Sequence, residues 1–376
     1  MITPPSKPRT LIFSQRNIFP RDLFRCSLYE FENTVCEIDS VDLVAPHADI
    51  SSFRYGLARR LAYRAPIVLS AGGERVELKS DYDLFLAVCC FSTDLLMLKA
   101  LSNWRDRCKT AVCLVDELWI KAFKDNRFFL DTLKHFDVVM LYYSNTATPL
   151  SQRIGRKCFF LPPGVDAIRF CPYPDPPLRA VDVCSIGRRS EITHRKLLRM
   201  VEQEGLFYLH DSIAGGQSIN ASEHRALTAN IAKRTRYFLV NPGLIDRPDV
   251  RGDQIEIGNR YFEGSAAGAI LLGERPNNEA FTRLFNWPDA LIHLPYDSVK
   301  IDEVIHELDL QPERQEIIRR TNVAQALRRH DWVYRWESIL ENVKLKPLPQ
   351  LLKRKERLKN MADAVLGSAF AAQEVI

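Results

Sequence analysis

The sequence predicts an α/β protein made of two doubly wound, Rossmann-like domains that meet at a cleft. Three observations carry that expectation. Short apolar runs alternate with helix-like stretches along most of the chain, the rhythm of a parallel sheet covered by helices. A proline-rich stretch near residue 175 interrupts this rhythm, which then resumes. The 376 residues exceed one ordinary core and suit two domains of usual size.

In the first half, Leu11–Ser14, Val41–Ala45, Leu84–Cys90, Ala111–Val115, Val138–Tyr142 and Phe159–Leu161 read as buried strands. Amphipathic segments at Thr93–Arg107 and Lys121–His135 read as helices between them. Phe170 to Arg179, FCPYPDPPLR, holds four prolines, which forbid a regular helix and favour an extended linker. A second set of strands follows at Val181–Ile186, Phe207–His210, Tyr237–Val240, Ala269–Leu272 and Leu291–Leu294. The expected division is residues 1–172, residues 173–345, and a basic helical tail at 346–376.

Beyond Pro312, Ile317, Thr321, Ala324 and Leu327 share one face of a helix. A bend at His330-Asp331-Trp332 precedes a second stripe of Trp332, Trp336, Ile339, Leu340 and Val343. These aromatics either pack a terminal helix across both domains or fill the second core. In the tail, Lys353, Arg354, Lys355, Arg357 and Lys359 cluster around Leu351, Leu352, Leu358 and Met361. That pattern fits either a solvated terminal helix or a basic helix making peripheral contact with anionic membrane.

Composition narrows the function. A formal charge of +5 is small for this length, so nucleic acid is not an expected partner. Nine scattered cysteines without a C-x-x-C argue against a zinc ribbon or a disulfide framework. No signal core or membrane-spanning run is evident, so the expected location is cytoplasmic, with peripheral contact at an inner membrane face through the tail. The chain lacks the glycine fingerprints of a standard dinucleotide site and of a P-loop. Asp81-Tyr82-Asp83 has the spacing of a metal-diphosphate motif, but it precedes its strand, whereas ligands gather at carboxyl ends.

Several features do fall at carboxyl ends of strands. Asn259 to Glu274, NRYFEGSAAGAILLGE, reads as a helix of small residues followed by a buried strand. Arg260 and the helix start suit phosphate, and the Glu263 carboxylate suits a ribose diol. The bland alternative is Glu263 in the favoured first turn of its helix. Gly187 and Arg188 follow a strand, with Arg195 and Lys196 in the helix beyond, again suited to a diphosphate. Asp116 and Glu117 follow Ala111–Val115 and suit general-base work or a sugar-binding wall. His47 follows Val41–Ala45 as a further candidate base, although a lone histidine is more often structural.

In order and spacing these pieces resemble the group 1, family 4-like glycosyltransferases of the GT-B fold, in a bacterial branch. Pro163-Gly164-Val165-Asp166 with Phe170 and Pro172 resembles the family's approach to its interdomain linker. Ile186-Gly187-Arg188 with Arg195 and Lys196 resembles its phosphate loop. Glu263 with Ala266, Ala267, Gly268 and Ile270 resembles its nucleotide-binding helix. Two departures stand out. The family often separates two glutamates by seven residues, and Glu256 and Glu263 are separated by six. The first strand is followed by Gln15-Arg16-Asn17 rather than by glycines.

The resemblance implies sugar transfer from a nucleotide-sugar donor, held by Gly187, Arg188, Arg195, Lys196, Arg260 and Glu263. The acceptor, a carbohydrate, glycolipid or small molecule, would meet Asp116, Glu117 and His47 in the first domain. It also implies no cofactor and no catalytic metal. Nucleotide-sugar epimerisation and non-catalytic glycan or nucleotide binding are the competing readings, because fold alone does not fix activity.

Overall fold

The structure is a computed structural model that describes residues 8–64, 72–211 and 220–373. Its first sheet contains β1 (Thr10–Phe13), β2 (Val41–Val44), β3 (Tyr82–Phe91), β4 (Cys108–Glu117), β5 (Val138–Leu141) and β6 (Lys157–Phe160). The strands lie in the order β2-β1-β3-β4-β5-β6, every pair parallel. The second sheet contains β7 (Val181–Ser185), β8 (Tyr208–His210), β9 (Thr235–Val240), β10 (Ile270–Gly273) and β11 (Ile292–His293). Its order is β11-β10-β9-β7-β8, again all parallel. Each expected strand is present, with ends shifted by a few residues. Apolar runs buried on both faces, such as Phe85 to Cys90, mark parallel strands so strongly that their detection needed no tertiary information.

The helices departed more from expectation. Thr93–Arg107 is a 3-10 run over Ser92–Ala100 followed by turns. Asp94 shapes this corner: its carboxylate accepts from Cys90 N at 2.8 Å and Phe91 N at 3.2 Å and is paired with the buried Arg25. Lys121–His135 splits into a 3-10 turn at Ile120–Lys124 and a helix at Arg127–Leu133. In the helix Pro312–Arg329 the buried face is rotated from the expected one. Ile317 is 66% exposed, whereas Ile318, Asn322, Val323, Ala326 and Leu327 are buried.

The small residues of the helix Asn259–Ala266 act as their pattern suggests. A Cβ added at Gly264 would lie 2.5 Å from Leu271 Cδ2 and 3.1 Å from a Phe238 ring carbon. Only a glycine lets this helix lie so close to β9 and β10.

The C-terminal helices join the two domains. Trp332 Nε1 donates to Glu30 Oε2 at 3.0 Å, and Trp336 Nε1 donates to Asp39 Oδ2 at 2.8 Å. Both acceptors belong to the first domain. Arg335, also buried, donates to the carbonyls of Pro162 and Pro163. The tail helix Pro349–Gln373 packs along Pro312–Arg329, with Leu351, Leu358, Ala362 and Val365 buried. Arg354 is paired with Asp331 and Asp166, each at 2.8 Å. Of the apolar residues expected to face solvent or lipid, Leu351 and Leu358 are therefore spent on packing, while Leu352 stays exposed. No described helix is long and apolar enough to cross a membrane.

Asp331 is fully buried, and Arg354 gives its carboxylate a direct counter-charge. Arg354→Met should therefore destabilise the protein by about 3–5 kcal/mol, the usual cost of stranding a buried charge. Urea unfolding would check this, and a loss under about 0.5 kcal/mol, typical of a surface site, would contradict it.

Candidate active site

The carboxyl ends of the two sheets supply the candidate site. In the first domain, Asp116 and Glu117 end β4. Glu117 Oε1 accepts from Trp119 Nε1 at 2.9 Å, and the Trp119 ring lies 4.5 Å from that of Tyr143. Across from these rings is Gly243 of the second domain. A Cβ there would lie 3.7 Å from Tyr143 Oη and 3.8 Å from Trp119. The cations nearest this wall include Arg188, which opposes the burial that raises the Glu117 carboxyl.

Asp116 is in an unusual state. Burial first, and then the charge of Glu117, push its carboxyl up to about 8. The Cys90 thiol lies 3.8 Å from Asp116 Oδ2 and gives only a weak hydrogen bond. A carboxyl titrating near neutrality can donate a hydrogen bond when protonated and take a proton when ionised. His47 is not part of this group. It is exposed beyond β2, with Nε2 3.4 Å from Asn17 Nδ2. Since β2 lies three strands from β4, their separation is roughly 14 Å at ordinary strand spacing.

In the second domain, Gly187 follows β7 with φ +94, a conformation that glycine adopts without strain. Its N–H donates to Asp211 Oδ2 at 2.9 Å, and Arg189 also binds Asp211. Arg188 reaches Asp246 at 2.9 Å and is half-exposed. The helix Glu191–Glu204 is closed at its start by Ser190, whose hydroxyl accepts from Ile192 N and Thr193 N. Arg195 is 68% exposed and bonded to Glu191 of its own helix, while Lys196 is paired with Asp302. Neither residue joins Arg188 at the strand ends. A narrow pocket beside them is lined by Arg189, Ser190, Thr193, His194, Tyr208 and Tyr296.

The helix Asn259–Ala266 differs at its start: Gly258 provides no side-chain cap. Asn259 Nδ2 donates to Ser27 Oγ of the first domain at 3.3 Å, so this helix start faces the other domain. Its N–H groups and the Arg260 guanidinium form an anion-favouring corner. Glu263, one turn on, is only 1% exposed. One oxygen is bonded to Arg225 and the other to Arg260. Both oxygens expected to receive a ribose diol thus already accept from guanidinium groups.

Arg225 connects this site to the first domain. Its Nε and Nη2 donate to Glu30 at 3.1 and 2.9 Å, while Nη1 donates to Glu263. Glu30 also accepts from Trp332 Nε1 and from Asp166 N. Arg225 and Glu30 escaped the sequence reading because 195 residues separate them and neither lies in a motif. Glu256 also reaches the first domain. Its carboxylate accepts from Ser144 N at 2.9 Å and Asn145 N at 3.1 Å, capping the turn that opens the helix Ala147–Ile154. Gln254 supports it and accepts from Ile120 N at 3.1 Å. Asp81 and Asp83, the D-x-D pair, make exposed bridges to Arg107 and Lys109 at the amino ends of the strands.

The glycosyl transferase-like family model matches residues 189–341. No curated protein matches the chain in sequence. Among solved structures, an alpha-glucosyltransferase in complex with UDP and a 13-mer DNA is similar at TM-score 0.52 and 11% identity. That match covers 89% of this chain and 99% of the other. A UDP-forming trehalose-phosphate synthase from Burkholderia xenovorans matches at TM-score 0.52 and 9% identity, covering 90% and 99% of the two chains. Anabaena HepE in complex with UDP-glucose matches at TM-score 0.50 and 12% identity, covering 89% and 99%. The chain shares the two-domain GT-B fold of these structures.

One expectation needs correction. A modest net charge was taken to exclude nucleic acid, yet a similar structure on this fold is complexed with DNA. Net charge averages over the surface and does not describe any one face of it.

Two pH predictions follow from the shifted carboxyls. For Asp116, the folded pKa of about 8 exceeds the unfolded value of 3.8, so the folded state holds the extra proton between them. Its contribution to stability is full below pH 3.8 and falls as pH rises towards 8. Asp116→Asn should therefore gain stability relative to the parent across this window, measured by urea unfolding at pH 5 and 8. Equal differences at both pH values would refute the shift. Glu263 has the opposite sign. Burial opposes its charge, but Arg260 and Arg225 outweigh burial and hold it at about 2, below the usual 4.5. Its contribution is full above pH 4.5 and is lost as pH falls towards 2. Glu263→Gln should flatten the parent's acid destabilisation in that range; an unchanged slope would show that Glu263 is not held ionised.

Proposed function

We propose that the protein transfers a sugar from a nucleotide-sugar donor to an acceptor hydroxyl in the interdomain cleft. Residues 173–345 hold the donor, and residues 1–172 receive the acceptor. The observation that carries this reading is the glycosyl transferase-like match over 189–341, which includes Arg260 and the strand ends around it. The UDP and UDP-glucose complexes of similar structures support a nucleoside-diphosphate donor.

In this reading the open start of the helix Asn259–Ala266, with Arg260 and Arg188, receives the diphosphate. Their charge stabilises the departing nucleoside diphosphate as the glycosidic bond to it breaks. Glu263 acts through Arg260, fixing where the guanidinium points. Asp116 takes the proton from the acceptor hydroxyl, a role suited to a carboxyl that titrates near 8. Glu117 and Trp119 form the wall beside it. Arg195 and Lys196 remain with their intradomain partners and contribute little to donor binding.

The activity test is release of nucleoside diphosphate from a panel of UDP-, GDP- and ADP-sugars, with sugar transfer followed by mass spectrometry. Isomerised donor without transfer would favour an epimerase, and binding without turnover would favour a scaffold. Arg260→Ala should weaken nucleoside-diphosphate binding by about 1.5–3 kcal/mol, as expected for a lost charge-assisted contact. Arg195→Ala should leave it nearly unchanged; equal losses in calorimetry would overturn the assignment. Asp116→Asn should lower kcat by about 10²–10⁴-fold with nucleotide binding retained. Full turnover in that variant would remove Asp116 from the chemistry.

A further inference from the structure

The helix Phe53–Arg64 presents a surface that none of the chemistry above uses. Tyr55, Ala58 and Ala62 are buried against the first-domain core. On the opposite side, Phe53 is 85% exposed and Leu57 is 37% exposed, with Arg60 on the same face. At 3.6 residues per turn, these three side chains lie within about 60° of one another. Ile50, just before the helix, is 40% exposed, and Tyr63 near its end is 43% exposed.

The charge pattern on this element is one-sided. Residues 50–64 contain four arginines, Arg54, Arg59, Arg60 and Arg64, and no acidic residue. Arg59 and Arg60 are exposed. A single exposed phenylalanine would be ordinary, but large apolar side chains set among arginines on one helix form a different surface. Duplex nucleic acid would reward the arginines while leaving Phe53, Leu57 and Ile50 in water. An anionic bilayer rewards both: the apolar groups enter the head-group boundary and the guanidinium groups meet lipid phosphates.

We propose that this helix docks the protein on an anionic lipid surface. Ile50 and Phe53 follow the carboxyl end of β2, on the side of the sheet where Asp116 and Glu117 end β4. Docking there would hold the acceptor side of the cleft close to lipid head groups. The tail helix, whose Leu351, Leu358, Ala362 and Val365 are buried, has no part in it. The proposal is independent of sugar transfer, because it is read without turnover.

Flotation of the full chain with phosphatidylcholine vesicles, with and without 30% phosphatidylglycerol, tests it. The parent should float with the anionic vesicles and less at high salt. Phe53→Ser with Leu57→Ser should lower partitioning about tenfold or more, with an unchanged melting temperature. Arg59→Glu with Arg60→Glu should abolish the preference for anionic lipid, while Lys353→Glu with Lys359→Glu in the tail should change nothing. Absence of parent binding to anionic vesicles would overturn the proposal, as would binding unaffected by both helix variants. Binding of a fluorescent DNA duplex that depends on Arg59 and Arg60, without vesicle binding, would assign the surface to nucleic acid instead.

Discussion

The arrangement depends on one buried cation shared between domains. Arg225 is 3% exposed and lies between Glu30 of the first domain and Glu263 of the second. A lone guanidinium in that position would be too costly to keep charged, and two lone carboxylates equally so. Together, with Trp332 and the amide of Asp166 completing the partners of Glu30, they satisfy one another. The contact is directional, so it fixes how one sheet is presented to the other. It also fixes Glu263, and through Glu263 the guanidinium of Arg260 at the edge of the cleft.

Other contacts repeat the same solution at different points of the interface. Glu256 and Gln254 cross to the start of a first-domain helix and to the backbone beside Trp119. Arg354 crosses from the tail to Asp166 and Asp331. In each case a charged or amide side chain occupies hydrogen-bonding groups that the other segment would otherwise bury unmet. The polar contacts between the domains thus join partners far apart in sequence, beside an apolar cluster that both domains share.

That division explains what the sequence could reveal. Strands buried on both faces, such as β1, β5 and β10, leave a local record in composition, and the half-buried β2, β6 and β11 were legible as short apolar runs. The small residues of the helix Asn259–Ala266 were legible too, since a side chain at Gly264 would collide with Leu271 and Phe238. The polar frame leaves no local record. Nothing near Glu30 announces Arg225, and the basic tail looks solvated until Leu351 and Leu358 are seen packed. Among the site residues, Asp116 and Glu117 came together because they are adjacent at one strand end. His47 belonged to a different strand end, and periodicity carries no information about strand order. Arg195 lies near Arg188 in sequence, but the helix Glu191–Glu204 directs it to Glu191.

Glu30 and Arg225 act as one unit that holds the domains in register. A double-mutant cycle with Glu30→Gln and Arg225→Met, read by urea unfolding, tests it most directly. The two losses should be strongly non-additive, with a coupling of about 1.5–3 kcal/mol, in the range of directly bonded pairs. Additivity within about 0.5 kcal/mol would show that the two residues stabilise the fold separately and not as one unit.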